Sequence, residues 1–262
     1  MSVLLESRVN KVRKNFSRAA RRYDQFSGLH RDIGRELMAH LPTVAPGGRI
    51  LDIGMGTGWL TRELLRNFPG ARVIGLDLSE GMIAMAKGQN SGARFLQADA
   101  AALPFKTDVF DLIVSNLAYQ WVEDLESSLR RCYALLKPRG SFCVTLFGRE
   151  TLKELFLSLE HAQEGGLPTR RRLAGYPQVA EAVQRSGFAD AVLSCTRRNI
   201  PFTDMFALLR WLKAIGANTL GREMFMSKEY LAAANDYYQA HYREERGVSV
   251  SFEVIGVSAR KG

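Results

Sequence analysis

Cysteine is scarce in this chain and badly placed for cross-linking. Cys132, Cys143 and Cys195 are scattered through 262 residues, each in an apolar or mixed run. Three at such spacing exclude a disulfide scaffold or a zinc framework and read as buried thiols of a reducing, cytoplasmic compartment. Long apolar runs are missing too: no window holds eighteen uninterrupted apolar residues, so no membrane-spanning helix is expected. The opening stretch meets Glu6 and Arg8 too early for a secretory apolar region. His30, His40, His161 and His241 stand far apart, which leaves no obvious His/Asp pair. Acidic residues are also in deficit, 27 against 36 Lys and Arg, for a net charge of +9.

What is present is ordinary globular material, 46% apolar and 24% charged, long enough to bury a proper core. The excess charge is uneven. Residues 1–36 carry nine Lys or Arg against four acids, and Arg170–Arg172 and Arg197–Arg198 form further clusters. Solvated helix faces explain such clusters, and so does an acidic partner.

Val9, Val12, Phe16, Ala19, Ala20 and Tyr23 recur at helical spacing and predict an amphipathic N-terminal helix. A second helix is expected over Leu29–Leu41, closed by Pro42 and the Pro46–Gly48 turn. Strands then alternate with helices. The strands are expected at Arg49–Ile53, Arg72–Leu78, Arg94–Ala98, Phe110–Ser115 and Ser141–Phe147, the helices at Thr57–Asn67, Glu80–Lys87 and Leu125–Leu136. That order predicts an α/β fold, a doubly wound and mostly parallel sheet covered on both faces. Further helices are expected at Thr151–His161, Gln178–Ser186, Met205–Lys213 and Lys228–Gln239. "DAVLSCTRRNIPF" and "VSVSFEVIGVSARK" read as late strands. The expected organisation is one domain, with residues 1–45 as a helical lid, 46–150 as a ligand-binding core and 203–245 as a helical insertion.

"LDIGMGTGWLT" sets Gly54, Gly56 and Gly58 between a strand and a helix. The dinucleotide fingerprint G-x-G-x-x-G would need glycine at position 59, where Trp59 stands, so the loop departs from an NAD site. Three carboxylates fall at expected strand ends: Asp52, Asp77 and Asp99. Two acceptor oxygens on Asp77 suit a ribose diol. Asp99 suits an adenine amino group, and Asp52 an ammonium. Adenosine at one end and an amino acid at the other describe S-adenosylmethionine.

"LDIGMGTGWLT", "VIGLDLSEGM" and "FLQADAAALPF" resemble successive motifs of class I S-adenosylmethionine-dependent methyltransferases, which have a Rossmann-like, seven-stranded sheet. The resemblance implies that Gly54, Gly56 and Gly58 let the backbone approach the methionine part. It also implies that Asp52 holds the amino group, Asp77 and Leu78 the ribose region, and Asp99 and Ala100 the adenine. Asn116 would border the methyl.

"DLIVSNLAYQW" lacks the Asn/Asp-Pro-Pro-Tyr of adenine and glutamine-amide methylating enzymes, and no nucleophilic cysteine lies near it. Instead "SNLAYQWVEDL", "NFSRAARRYDQFSGLHRDIGREL" and "ALLRWLKAIGANTL" resemble the malonyl-acyl-carrier-protein O-methyltransferases of biotin synthesis, over nearly the whole chain. Gly28 and His30 stand where that family more usually has Ala and Gln, Tyr119 where a smaller apolar residue is common, and Met55 where many relatives have Cys.

The family implies methyl transfer to the free carboxylate of a malonyl thioester, giving the ester that starts pimeloyl and biotin synthesis, with S-adenosylhomocysteine as the second product and no metal. A malonyl carboxyl with a pKa of about 3–4 is already ionised at pH 7, so no general base is expected. Tyr23 is the candidate to close over the cofactor, Asn116 and Gln120 are candidate donors near the acceptor, and Lys213 is the candidate cation for its carboxylate. On that reading Lys213→Ala should raise the acceptor KM by more than about ten-fold. The expected partner is an acidic acyl carrier protein, met by Arg18, Arg21 and Arg22 or by Arg170–Arg172, with malonyl-CoA as another methyl acceptor. Neither nucleic acid nor membrane is an expected partner. Two other readings stay open: a methyltransferase for another small carboxylate or a quinone-type ring, and a cofactor-binding module without turnover.

Overall fold

The computed structural model describes residues 3–162, 173–188, 190–218 and 227–262. Its frame is an eight-stranded sheet built from β1 (Arg49–Ile53), β2 (Arg72–Asp77), β3 (Arg94–Gln97), β4 (Phe110–Asn116), β5 (Leu136–Phe147), β6 (Val192–Phe202), β7 (Arg243–Glu244) and β8 (Gly247–Arg260). Seven strands follow the order β3-β2-β1-β4-β5-β8-β6, and the two-residue β7 pairs with β8. The first five strands are mutually parallel, and β8 runs antiparallel to β5 and β6. The order reverses at β1, whose neighbours are β2 and β4, and this switch point opens a crevice at the strands' carboxyl ends.

Alternating side chains explain why both faces are covered. Leu51, Ile53, Ile113 and Val144 share a core with α5 (Leu125–Leu135) and α7 (Tyr176–Arg185). Ile50, Val73, Leu112 and Val114 pack with residues of α2 (Gly28–Ala39) and α3 (Trp59–Asn67) on the other face. Period-two apolar strands buried on both sides are what parallel crossover units require. Another core joins α6 (Lys153–His161), α8 (Met205–Ala214) and α9 (Lys228–Tyr242) to the first half of β8. Asp204 caps α8, its Oδ1 accepting from Ala207 N at 2.6 Å, and Ser227 caps α9.

The structure shifts some expected boundaries. β5 begins at Leu136 rather than Ser141, directly after α5, and its register against β4 shifts between Phe110 and Leu112. α9 runs on to Tyr242 rather than ending at Gln239. Cys132 and Cys143 are buried, but Cys195 is exposed because β6 is an edge strand. Among the described residues no helix is long and apolar enough to cross a membrane. The Arg170–Arg172 cluster, together with Thr219 and Leu220 of the insertion motif, lies outside the described residues.

The helix α1 (Val3–Phe26) is tied to the strand ends at several points. Arg8 Nη1 lies 3.0 Å from Glu123 Oε1, and the Ser17 and Ser79 hydroxyls meet at 2.9 Å. Thr57 Oγ1 donates to Asp24 Oδ1 at 2.6 Å, and the Phe16 and Trp121 rings meet edge to face at 5.3 Å. Gly81 opens α4 (Glu80–Gln89) against this helix: a Cβ there would stand 2.6 Å from the Ser17 carbonyl oxygen.

Candidate active site

The glycine loop follows β1 in a conformation that side chains resist. Gly54, Gly56 and Gly58 have φ of 70°, 57° and 85°, and each such turn costs an ordinary L-residue roughly 1–2 kcal/mol. Gly54 N and Met55 N donate to the Leu76 carbonyl at 2.7 and 3.1 Å, locking the loop to the end of β2. A Cβ on Gly54 would collide with Ala118. On Gly56 it would meet only the edge of the Tyr23 ring, at 4.0 Å, so glycine keeps that floor open. Gly58 is different: a Cβ would reach Asn90 Nδ2 at 2.5 Å and Ala86 Cβ at 3.0 Å. It seats the start of α3 against α4, and it lines none of the cavities below.

Beside this loop lies a cavity of about 720 Å³, within the usual range for small-molecule sites. Gly54, Gly56, Asp77, Leu78, Asp99, Ala100, Asn116 and Tyr23 all line it, so most of the expected cofactor residues converge. Asp77 Oδ2 accepts from Gly56 N at 2.9 Å and Oδ1 from Ser79 N at 2.8 Å. Burial pushes its pKa up to about 6 against the pull of those donors. Asp99 Oδ1 accepts from Ala101 N at 2.9 Å and shapes the strand-end turn.

Asp52 sits in an adjoining recess that shares Tyr23, Gly54, Gly56 and Asn116 with the large cavity. Its Oδ2 accepts from Thr61 Oγ1 at 2.6 Å, while Oδ1 is buried with no hydrogen-bond partner among the described residues. Burial lifts its pKa to about 7, with Thr61 opposing and Asp77 adding to the rise. A buried carboxylate oxygen without a donor is costly unless a ligand supplies one. The recess therefore fits a cationic amino group.

A second, smaller cavity of about 80 Å³ lies on the other side of Tyr23. It is walled by Phe16, Leu117, Trp121, Phe147, Leu152, Phe156, Trp211 and Phe252, with Gln120 and His30 among its few polar members. Phe16, Tyr23, Leu117 and Trp121 line both cavities. Leu117 and Leu152 hold left-handed φ of 57° and 62°. Leu117 N donates to the Thr145 carbonyl and Leu152 N to the Ser251 carbonyl, contacts that keep these strained residues in place.

Of the expected acceptor residues, Tyr23 and Gln120 reach this wall, and Asn116 stands behind it. Asn116 Nδ2 donates to the His30 carbonyl at 2.8 Å and Oδ1 accepts from Thr145 Oγ1 at 2.8 Å, so its amide is engaged in positioning. Gln120 Nε2 donates to the Leu117 carbonyl at 2.6 Å. Burial pushes the Tyr23 phenol well up, with Asp77 and Asp24 adding, so it is a neutral hydroxyl. Lys213 is exposed and lines neither cavity. Met205, Leu208, Leu212 and Ile215 form the buried stripe of α8, and Lys213 falls outside it. Tyr119 is buried in the main core, its hydroxyl 2.8 Å from Cys132 Sγ, away from both cavities. His30, Leu117, Leu152 and Trp211 had no signal beyond their apolar or odd-residue character.

A methyltransferase-domain family model matches residues 51–144, the stretch that carries the glycine loop and all three strand-end carboxylates. The phosphoethanolamine N-methyltransferase 2 of Haemonchus contortus, solved in complex with S-adenosyl-L-methionine, has a similar fold. Its TM-score is 0.60 at 21% identity, covering 94% of this chain and 57% of that one. Fold and family model thus define a class I methyltransferase. The relatives narrow the class. The chain is 34% identical over 252 residues to the malonyl-[acyl-carrier protein] O-methyltransferase of Halorhodospira halophila, covering 93% of this chain and 85% of that protein. To the protein of the same name from Methylococcus capsulatus it is 31% identical, covering 94% and 92%. The chain belongs to the malonyl-[acyl-carrier protein] O-methyltransferase family.

Proposed function

We propose that the protein methylates the free carboxylate of a malonyl group carried on an acyl carrier protein, using S-adenosylmethionine. The ester product starts pimeloyl assembly for biotin. The observation that carries this reading is the junction itself: a cavity edged by carboxylates meets an apolar one across a wall of Phe16, Tyr23, Leu117 and Trp121. S-adenosylmethionine supplies a methyl group made electrophilic by its sulfonium.

The chain's own residues do the rest. Asp52 would hold the amino group, Asp77 the ribose hydroxyls and Asp99 the adenine edge. The carboxylate acceptor is ionised at pH 7, so the residues at the junction have no proton to remove. Their task is alignment and exclusion of water, which matters because two opposite charges disappear and water favours the charged reactants. α1 closes the large cavity from above through Phe16 and Tyr23.

The partner is read from charge. Lys14, Arg18, Arg21 and Arg22 are exposed on α1, and Lys213 is exposed on α8. The two helices abut where Gly216 meets Phe16, a Cβ there standing 3.1 Å from the Phe16 Cα. Phe16, Ile215 and Ala217 of that seam line the small cavity. A basic rim over the acceptor cavity suits an acidic carrier and speeds encounter.

Incubation with methyl-labelled S-adenosylmethionine, offering malonyl-carrier, malonyl-CoA and free malonate in parallel, tests the proposal. Base-labile label on the malonyl carrier, with a rate that falls between about 50 and 500 mM salt, is expected. Label on free malonate alone would remove the carrier from the reading.

A further inference from the structure

The small cavity is mostly carbon, and among the described residues no Lys or Arg reaches its wall. A carboxylate entering it meets few polar groups, and most are committed. Trp211 Nε1 donates to the Phe26 carbonyl at 2.9 Å. The Thr151 hydroxyl donates to the Glu253 carbonyl at 3.2 Å and accepts from Glu253 N at 3.1 Å. The Gln120 amide holds the Leu117 carbonyl.

His30 differs. Its Nδ1 is buried with no hydrogen-bond partner among the described residues. The ring is packed edge-on against Tyr23 and Phe147, each at 5.9 Å between centroids, and lies 6.1 Å from Trp211. Its backbone is clamped by Asn116, itself clamped by Thr145. A buried polar atom left unpaired costs about 1–3 kcal/mol, and a ligand that satisfies it recovers that cost.

We propose that His30 recognises the acceptor's carboxylate, donating a ring N–H to the oxygen that is not methylated. The inference rests on reading the acceptor as a malonyl thioester. Burial pushes the imidazole pKa down to about 4, so at pH 7 the ring is neutral, with one donor and one acceptor nitrogen. Neutrality suits the reaction. A full cation would bind the ionised substrate more strongly than the less charged transition state and so raise the barrier. A neutral N–H orients the oxygen with less of that penalty. The ionisable groups lining the same region are Tyr23 and Asp24 from α1, Arg31 from α2 and Asp52 from β1. Arg31 is turned to the Asp24 carbonyl at 2.9 Å. The methylated product has lost its charge, so the same donor favours substrate over product.

The test compares wild type, His30→Phe and His30→Gln by three readouts: acceptor KM and kcat on malonyl-carrier, inhibition by the carrier's methyl-ester product, and Kd for S-adenosylmethionine. His30→Phe keeps a ring against Tyr23, Phe147 and Trp211 but removes the donor. It should raise acceptor KM about ten-fold or more and narrow the gap between substrate and product affinity, with a much smaller change in cofactor Kd, since His30 also borders the Asp52 recess. His30→Gln restores an N–H and should return KM to within about three-fold. Unchanged KM and discrimination in His30→Phe, or equal damage in both variants, overturns the assignment. A wild type that binds cofactor but labels no malonyl thioester fails one step earlier and overturns the functional reading instead.

Discussion

Around the large cavity, the strand ends supply Gly54 and Gly56 after β1, Asp77 on β2, Asp99 after β3 and Asn116 on β4, and Arg8 and Asn10 of α1 with Glu123 and Asp124 complete the polar lining. Around the small cavity, the lining comes from α1, α2, the turn after β4, the end of β5, α8 and β8, residues as far apart as Phe16 and Phe252. The first region places buried carboxylates beside backbone donors, and the second places one unpaired ring nitrogen among aromatic and aliphatic carbon. On the proposed function, charge recognition of the cofactor and alignment of the acceptor fall to different sets of residues. The two regions meet at Phe16, Tyr23, Leu117 and Trp121, and His30 borders both the small cavity and the Asp52 recess.

The largest break is expected at Gly54. Gly54→Ala combines a left-handed φ with a collision at Ala118, and should weaken cofactor binding by roughly 100-fold or more. Calorimetric titration of S-adenosylmethionine reads this directly, and a Kd within a few-fold of wild type would show that the loop can shift freely.

Next is Asp52. Removing its charge with Asp52→Asn should raise cofactor Kd about 10- to 100-fold, leaving acceptor KM at saturating cofactor unchanged. The same residue sets a pH dependence. Asp52 ionises near 3.8 in the unfolded chain and near 7 in the folded one, so folding favours its neutral form. That contribution is complete below about pH 4 and is lost as pH rises through 7. Binding a cationic ligand favours the carboxylate, so cofactor affinity should increase from pH 6 to 8, with proton release seen as a buffer-dependent binding enthalpy near pH 7. Asp52→Asn should abolish that release.

Smaller effects belong to the acceptor side. Trp211→Phe removes the hydrogen bond to Phe26 that ties α8 to the end of α1. It should raise acceptor KM about two- to ten-fold while cofactor Kd stays put, and a change in both would show that the two regions are coupled. Smallest is Lys213→Ala. Because Lys213 is exposed and off the cavity wall, turnover of malonyl-CoA should stay within about two-fold, and only the salt dependence with the carrier should flatten.

The cofactor side was readable because its chemistry is local. A strand, a glycine turn and a helix lie within twenty residues, and Asp77 and Asp99 each end a short apolar run. Gly58 has the sequence neighbours of a ligand loop, and its left-handed turn faces Ala86 and Asn90. Lys213 was named on family likeness, and helix phase sets it on the exposed side of α8. The apolar stripe through Leu208, Leu212 and Ile215 was itself enough to put the lysine outside.

From sequence alone came the alternating α/β order, the glycine loop and the three strand-end carboxylates. These follow from hydrophobic period and from backbone conformations only glycine adopts cheaply. The packing of distant segments settled which carboxylate oxygen lacks a partner among the described residues, which leucines twist into left-handed turns, and that His30 faces a mostly apolar chamber with no Lys or Arg among its described lining residues. Burial and hydrogen-bond satisfaction are properties of surroundings, and here those surroundings are assembled from segments more than two hundred residues apart.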